Sequence, residues 1–115
     1  MIIHIIINNS DYFKRDVEIL IQWNIPFIPR VSESIHPMLL INQDSFSINS
    51  FFEALTEEAK ENFMSFVKRE QKSFDVCFKE WIEDILSTYL VRDVKYAPLK
   101  KNSIDIIPQI YLDDE

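Results

Sequence analysis

An α/β fold follows from three observations on this 115-residue sequence. Residues 2–7, Ile2-Ile3-His4-Ile5-Ile6-Ile7, hold β-branched isoleucine at five of six positions. The run is too short for a membrane span and too continuous for a half-exposed edge, so it predicts a strand buried on both faces of a sheet. From Asp11 onward, Phe13, Val17, Leu20 and Ile21 recur at helical spacing. From Thr56 to Val91 the composition is that of helices, with Ala59, Phe63, Phe66 and Val67 on one apolar stripe and Phe74, Cys77, Phe78, Trp81, Ile85 and Tyr89 on another.

The elements follow in chain order. Asn9, Ser10 or Asp11 caps the first predicted helix, Asn24 ends it, and Pro26 forbids its continuation. A second strand is expected at residues 25–31, a third at Pro37-Met38-Leu39-Leu40-Ile41, a turn at Asn42-Gln43-Asp44, and a short fourth strand at Ser45-Phe46-Ser47-Ile48. Ser50-Phe51-Phe52-Glu53 has the form of a capping box, in which the serine oxygen accepts from the third backbone N–H beyond it and the glutamate reaches back. A helix is expected to begin there. The polar stretch Lys68 to Ser73 interrupts the two stripes, and a helical hairpin or one long helix with an exposed middle fits equally well. Beyond Val91, Pro98 and Pro108 break up a tail whose Ile104, Ile106, Ile107, Ile110 and Leu112 suit an edge strand or a partner. The expected layout is a single structural domain: a sheet core over residues 1–55, a helical extension over 56–91 and an extended tail over 92–115.

Two blocks carry a resemblance. Asn9-Ser10-Asp11-Tyr12-Phe13, the ten residues Lys14 to Trp23, and Asn24-Ile25-Pro26-Phe27 run without a gap against the glutaredoxin pattern N-C-P-Y-C, helix, G-I-P-F/Y. Pro37-Met38-Leu39-Leu40-Ile41-Asn42 through Glu53-Ala54-Leu55 is similar to the stretch P-Q-V-F-I-N-G through L-E-A-L of the same family. The first half of the chain thus resembles a glutaredoxin, and equally the N-terminal half of a glutathione transferase. The resemblance implies a thioredoxin-like sheet in which the second helix is reduced, because only Ser32 to His36 separate Val31 from Pro37. It also implies an eroded site. Ser10 and Phe13 stand at the two cysteine positions, Tyr12 keeps the family tyrosine, and Pro37 falls at the cis-proline position, where the backbone of His36 would pair with a substrate peptide. Ile7 replaces the family lysine and Ser50-Phe51 the paired aspartates, removing the charge-assisted hydrogen bonds that hold glutathione.

Composition bounds the function. The formal charge of −7 repels phosphate backbones, which argues against a nucleic-acid partner and suits a basic protein partner. The absence of glycine excludes phosphate loops and dinucleotide fingerprints. One cysteine excludes an internal disulfide, and with no leader sequence or membrane span in view a reducing, cytoplasmic setting is expected. Cys77, on an apolar stripe, reads as a small core residue, and the isolated His4 and His36 have no metal-ligand spacing. Without sulfur at residues 10 and 13 no thiol exchange is possible there. The expectation is a redox-inactive, thioredoxin-like protein-interaction module with no catalytic residue and no cofactor. Its candidate ligand contacts are Ser10, Tyr12, His36 and Pro37, and Phe74, Phe78 and Trp81 are the candidate anchors of a homodimer or heterologous interface unless that stripe is simply core. Two other classes stand beside it: a glutathione-binding or transferase-like protein using Ser10, and a small acidic inhibitor or immunity-type protein covering the basic site of an enzyme.

Overall fold

The computed structural model describes residues 1–8, 11–98, 100–102 and 104–114. Two strands, β1 (Ile2–Ile7) and β2 (Val17–Gln22), are followed by four helices, α1 (Met38–Ile41), α2 (Ile48–Ala54), α3 (Glu57–Glu70) and α4 (Phe74–Leu86), and then by β3 (Leu90–Pro98) and β4 (Ile106–Asp113). The strands make one sheet in the order β2-β1-β4-β3. β1 runs antiparallel to β2 and parallel to β4, and β3 and β4 are antiparallel. β1 is therefore central, as its isoleucine run predicts, but its neighbours are β2 and β4 and not residues 37–41.

The strand–helix–strand order of the glutaredoxin resemblance does not form. The helix expected from Asp11 to Trp23 is replaced by β2, whose residues alternate strictly between buried and exposed. Val17 and Ile21, four residues apart, satisfy both a period of 3.6 and a period of 2. Between them the two readings diverge: the helix buries Leu20, whereas the strand buries Ile19. Ile19 is 4% exposed and Leu20 40%. The β-branched residues at 17, 19 and 21 all point inward, where a pleated surface accepts them better than a helix does.

The other differences have equally local causes. Residues 25–31 are no strand, since Pro26 and Pro29 remove two ladder donors within four residues. Residues 37–41 form a short helical turn instead of a strand. Pro37 (φ −54°) has the fixed φ suited to a helix start, and the Nδ1 of His36 accepts from the Met38 N–H at 3.2 Å. The strand expected at 45–48 is absent, because Ser47 caps α2 by accepting from the Ser50 N–H, three residues ahead of the proposed capping box. No described peptide bond is cis, so Pro37 is trans. Of the two helical alternatives the hairpin is correct: α3 starts on the Thr56 cap and ends at Gln71 in the left-handed conformation (φ 56°), and Ser73 caps α4. The tail is not an extended appendage. It supplies β3 and β4, half of the sheet.

One hydrophobic core joins the face of the sheet bearing Ile3, Ile5, Ile7, Val17, Ile19, Ile21, Ile110 and Leu112 to the inner sides of the helices. Both outer edges of the sheet are closed by hydrogen bonds, from side chains on β2 and mainly from the backbone of a neighbouring segment on β3. On β2, the Gln43 amide accepts from the Gln22 N–H at 2.9 Å and donates to the Gln22 carbonyl, while the Ser45 hydroxyl donates to the Leu20 carbonyl. On β3, Ser32 donates to and Glu33 accepts from the backbone of Val91 (both 2.8 Å), Asp93 accepts from the Val94 N–H, and Pro98 has no N–H to offer. Such capped edges resist strand addition.

Candidate interaction surface

The sheet face opposite the helices carries a polar row that crosses all four strands. The His4 Nε2 lies 3.1 Å from a Glu18 carboxylate oxygen, the Gln109 amide is 3.5 Å from the His4 Nδ1, and the Tyr111 hydroxyl donates to the Gln109 carbonyl oxygen. Lys95 closes the row, with its ammonium 5.0 Å from the centre of the Tyr111 ring and 3.6 Å from the Asp93 carboxylate. These groups satisfy one another and form a polar band on a face that also carries Ile2, Ile6 and Leu20.

The candidate ligand contacts from the sequence are not assembled into one site. Ser10 lies outside the described residues. Tyr12 is half-buried beside Asp11, Glu58, Ala59 and Asn62, in a cleft at the start of α3. His36 and Pro37 line a different cleft, with Glu83, Asp84 and Ser87 at the end of α4. Phe13, at the second cysteine position, is fully buried edge-on to Phe51 and Tyr89. Of the candidate interface anchors, Phe78 is fully buried and Trp81 half-buried. With Phe52, Phe63 and Phe74 they form a continuous cluster of ring contacts with centroids 5.2–6.4 Å apart. Phe78 therefore cannot anchor a partner. The stripe works as core, packing α2, α3 and α4 together, with Phe74 its most exposed ring at 36% and Phe52 and Trp81 partly buried. Cys77 is fully buried, with its Sγ 3.7 Å from the Lys72 carbonyl oxygen.

A surface the sequence reading missed lies after β2. The segment from Trp23 to Ile35 leaves the β2 edge beside Met1 and arrives at the β3 edge, where Ser32 and Glu33 bond Val91. Ile28 and Ile35 turn into the core, while Ile25, Phe27 and Val31 turn out; Phe27 is 78% exposed. The segment is fastened at several points. The Trp23 indole N–H donates to the Phe27 carbonyl at 2.9 Å, and the Glu33 carboxylate accepts from the backbone N–H and the guanidinium of Arg30. The Arg30 N–H is the main reason that the Glu33 carboxyl is held below its ordinary pKa. Ser32 takes a left-handed φ of 75°, a conformation uncommon outside glycine, to make the turn into the Val91 pairing. Met1, Pro26, Phe27, Ile28, Arg30 and Glu33 line a cleft of about 600 Å3 here. Pro26 and Pro29 were the available signal, because prolines that break up a short apolar run mark a loop, and an apolar loop lies on the surface.

No family model, no curated protein and no solved structure matches this chain. Among the described residues no group of His, Cys, Asp and Glu side chains is arranged to hold a metal ion, and no helix is long and apolar enough to cross a membrane.

Proposed function

We propose that this chain is a protein-interaction module without redox chemistry of its own, and that it engages its partner through the apolar loop Ile25–Val31. The observation that carries the reading is Phe27, a large aromatic ring 78% exposed on a backbone fastened at both ends. Leaving a phenylalanine in water forgoes roughly 1.5–3 kcal/mol of burial. A loop that holds it out in a fixed position avoids most of the ordering cost a partner would otherwise have to offset. Aromatic anchors of this kind dominate interface energetics. The reading keeps the interaction role and drops the glutaredoxin likeness, because β2 stands where that family's site helix would begin.

The acidic-inhibitor reading has one observation in its favour: the clefts beside Tyr12 and Pro37 are lined by carboxylates, Asp11 and Glu58 in one and Glu83 and Asp84 in the other. The two readings separate by experiment. With wild-type chain and a Phe27→Asp variant as baits, one retained protein should be lost with the variant and survive 0.5 M salt, a concentration of about half-molar at which exposed charge pairs are screened within a few ångströms. Loss with salt and indifference to Phe27 would instead support the acidic inhibitor. Calorimetry with glutathione is expected to be flat, and a binding isotherm abolished by Ser10→Ala would overturn the proposal in favour of a glutathione-binding protein.

A further inference from the structure

Residues 19–32 are the longest stretch of the chain without a carboxylate, and Arg30 is their only charged side chain. In a chain of net −7 the loop after β2 is therefore a local exception. The Arg30 side chain is 86% exposed, and among the described residues its only partner is the Glu33 carboxylate, 3.4 Å from Nε. That carboxylate lies closer to the Arg30 backbone N–H, at 2.5 Å, and the Glu33 N–H donates back to the Arg30 carbonyl at 3.0 Å. The turn from Arg30 to Glu33 is thus closed on itself, with Ser32 left-handed at its third position. Glu33 steadies the guanidinium on its Nε side. The two terminal nitrogens, the pair of donors that takes a carboxylate in a fork, are left facing solvent.

Phe27 stands between two clefts. Arg30 lines the larger, of about 600 Å3, together with Met1, Pro26 and Ile28. The smaller, of about 220 Å3, is walled mainly by Trp23, Ile25, Pro29, Ile35 and Leu39. Phe27, Ile28 and Glu33 border both. One cleft offers a cationic fork beside apolar walls, the other an apolar hollow.

We propose that the occupant of this surface is a short acidic segment of a partner protein: an aspartate or glutamate carboxylate takes the terminal nitrogens of Arg30, and an adjacent apolar side chain crosses Phe27 into the smaller cleft. The proposal rests on the interaction reading above and names the chemistry of its partner. A basic segment would set like charge against Arg30, and the one neighbouring carboxylate, Glu33, is already held by the turn. A nucleic acid would find a single cation among apolar walls on a chain whose overall charge repels phosphates. That same charge slows the approach of an acidic protein, but carboxylates more than about 8 Å away are largely screened at physiological ionic strength, so at contact Arg30 decides. With one fork and two apolar clefts, most of the affinity is apolar and survives salt.

A library of random short peptides displayed on phage, selected on the intact chain, tests this. The enriched sequences should pair an aspartate or glutamate with a neighbouring apolar residue. Arg30→Ala leaves the backbone N–H that Glu33 accepts from, and should weaken an enriched peptide about tenfold or more, as loss of a hydrogen bond to a charged group does. Arg30→Lys should restore little, because an ammonium cannot make the fork. Arg30→Glu should turn the selection toward peptides carrying lysine or arginine. Arg30 is exposed, and unchanged urea midpoints will show that each variant folds. Enriched peptides without a carboxylate, or with affinity indifferent to Arg30→Ala, would overturn the acidic partner, and the Phe27→Asp capture experiment would show separately whether the loop binds a protein at all. A library that yields no peptide would overturn the short segment. Free phenylacetate binding as tightly as an enriched peptide would overturn it in favour of a small apolar acid.

Discussion

Ile19 and Leu20 are adjacent, similar in size, and opposite in environment, which makes them a direct test of β2. Truncating the buried Ile19 removes its transfer free energy and leaves a cavity in the core, a loss of about 2–5 kcal/mol for Ile→Ala at closed sites. Leu20 keeps 40% of its surface in water, so Leu20→Ala gives up only part of a leucine's roughly 1.5–3 kcal/mol and opens no closed cavity, a cost of about 1 kcal/mol. The expected gap between the two variants is about 2 kcal/mol, a large part of the 5–15 kcal/mol typical of a domain. Urea unfolding followed by tryptophan fluorescence reads this directly, because Trp23 is buried against the same core. With a denaturant slope of about 1–3 kcal/mol per molar, the Ile19→Ala midpoint should fall below that of Leu20→Ala by about 1 M. Equal midpoints, or a lower one for Leu20→Ala, would mean that residues 17–22 do not alternate and that the sheet is wrongly built.

Other expectations are as direct. Gln43→Ala should cost about 1 kcal/mol by opening the β2 edge, and native-state hydrogen exchange should show the Gln22 amide exchanging faster. Asp114 has its pKa raised, first by burial and then by its hydrogen bond to and repulsion from Asp113, with Asp11 adding to it. A carboxyl whose folded pKa exceeds its unfolded value lowers stability at neutral pH, and that loss is relieved as pH falls through the folded value. Asp114→Asn should therefore unfold at higher urea than wild type at pH 7, with the difference shrinking as the pH is lowered through the carboxylate range.

Parts of this fold are written plainly in the sequence, and others only ambiguously. The isoleucine run of β1 marks a central strand, but the helices cover only one of its faces: Ile3, Ile5 and Ile7 enter the core, whereas Ile2, 43% exposed, and His4 lie on the other side. The stripes of α3 and α4 mark two helical segments, and of the polar stretch Lys68 to Ser73 only Gln71 to Ser73 leave the helix, α3 running on through Glu70. β2 is six residues long, and over so short a span Val17 and Ile21 support two periods at once. Pro37-Met38-Leu39-Leu40-Ile41 is similarly short, and what makes it helical is local: the fixed φ of Pro37 and the His36 imidazole, which accepts from the Met38 N–H two residues on. The aromatic stripe leaves interface and core open in the sequence, and in the structure Phe78 and Trp81 pack between the helices. The exposed Phe27 lies in a run whose apolar residues suit a strand and whose two prolines do not.

The pairing of His4 with Gln109 joins the two ends of the chain at the centre of the sheet. Closing a loop of about a hundred residues costs only slightly more entropy than closing one half as long, since the cost grows with the logarithm of length, but the contact must be found by diffusion of the whole chain. β1 and β2, close in sequence, and the α3–α4 hairpin are expected to form early. Until β4 arrives, one side of the isoleucine strand has no partner, and that interval is when the chain is most prone to associate wrongly. Folding speed should therefore depend on how readily the β3–β4 hairpin forms by itself, so that changes in its turn alter the rate of folding more than the rate of unfolding.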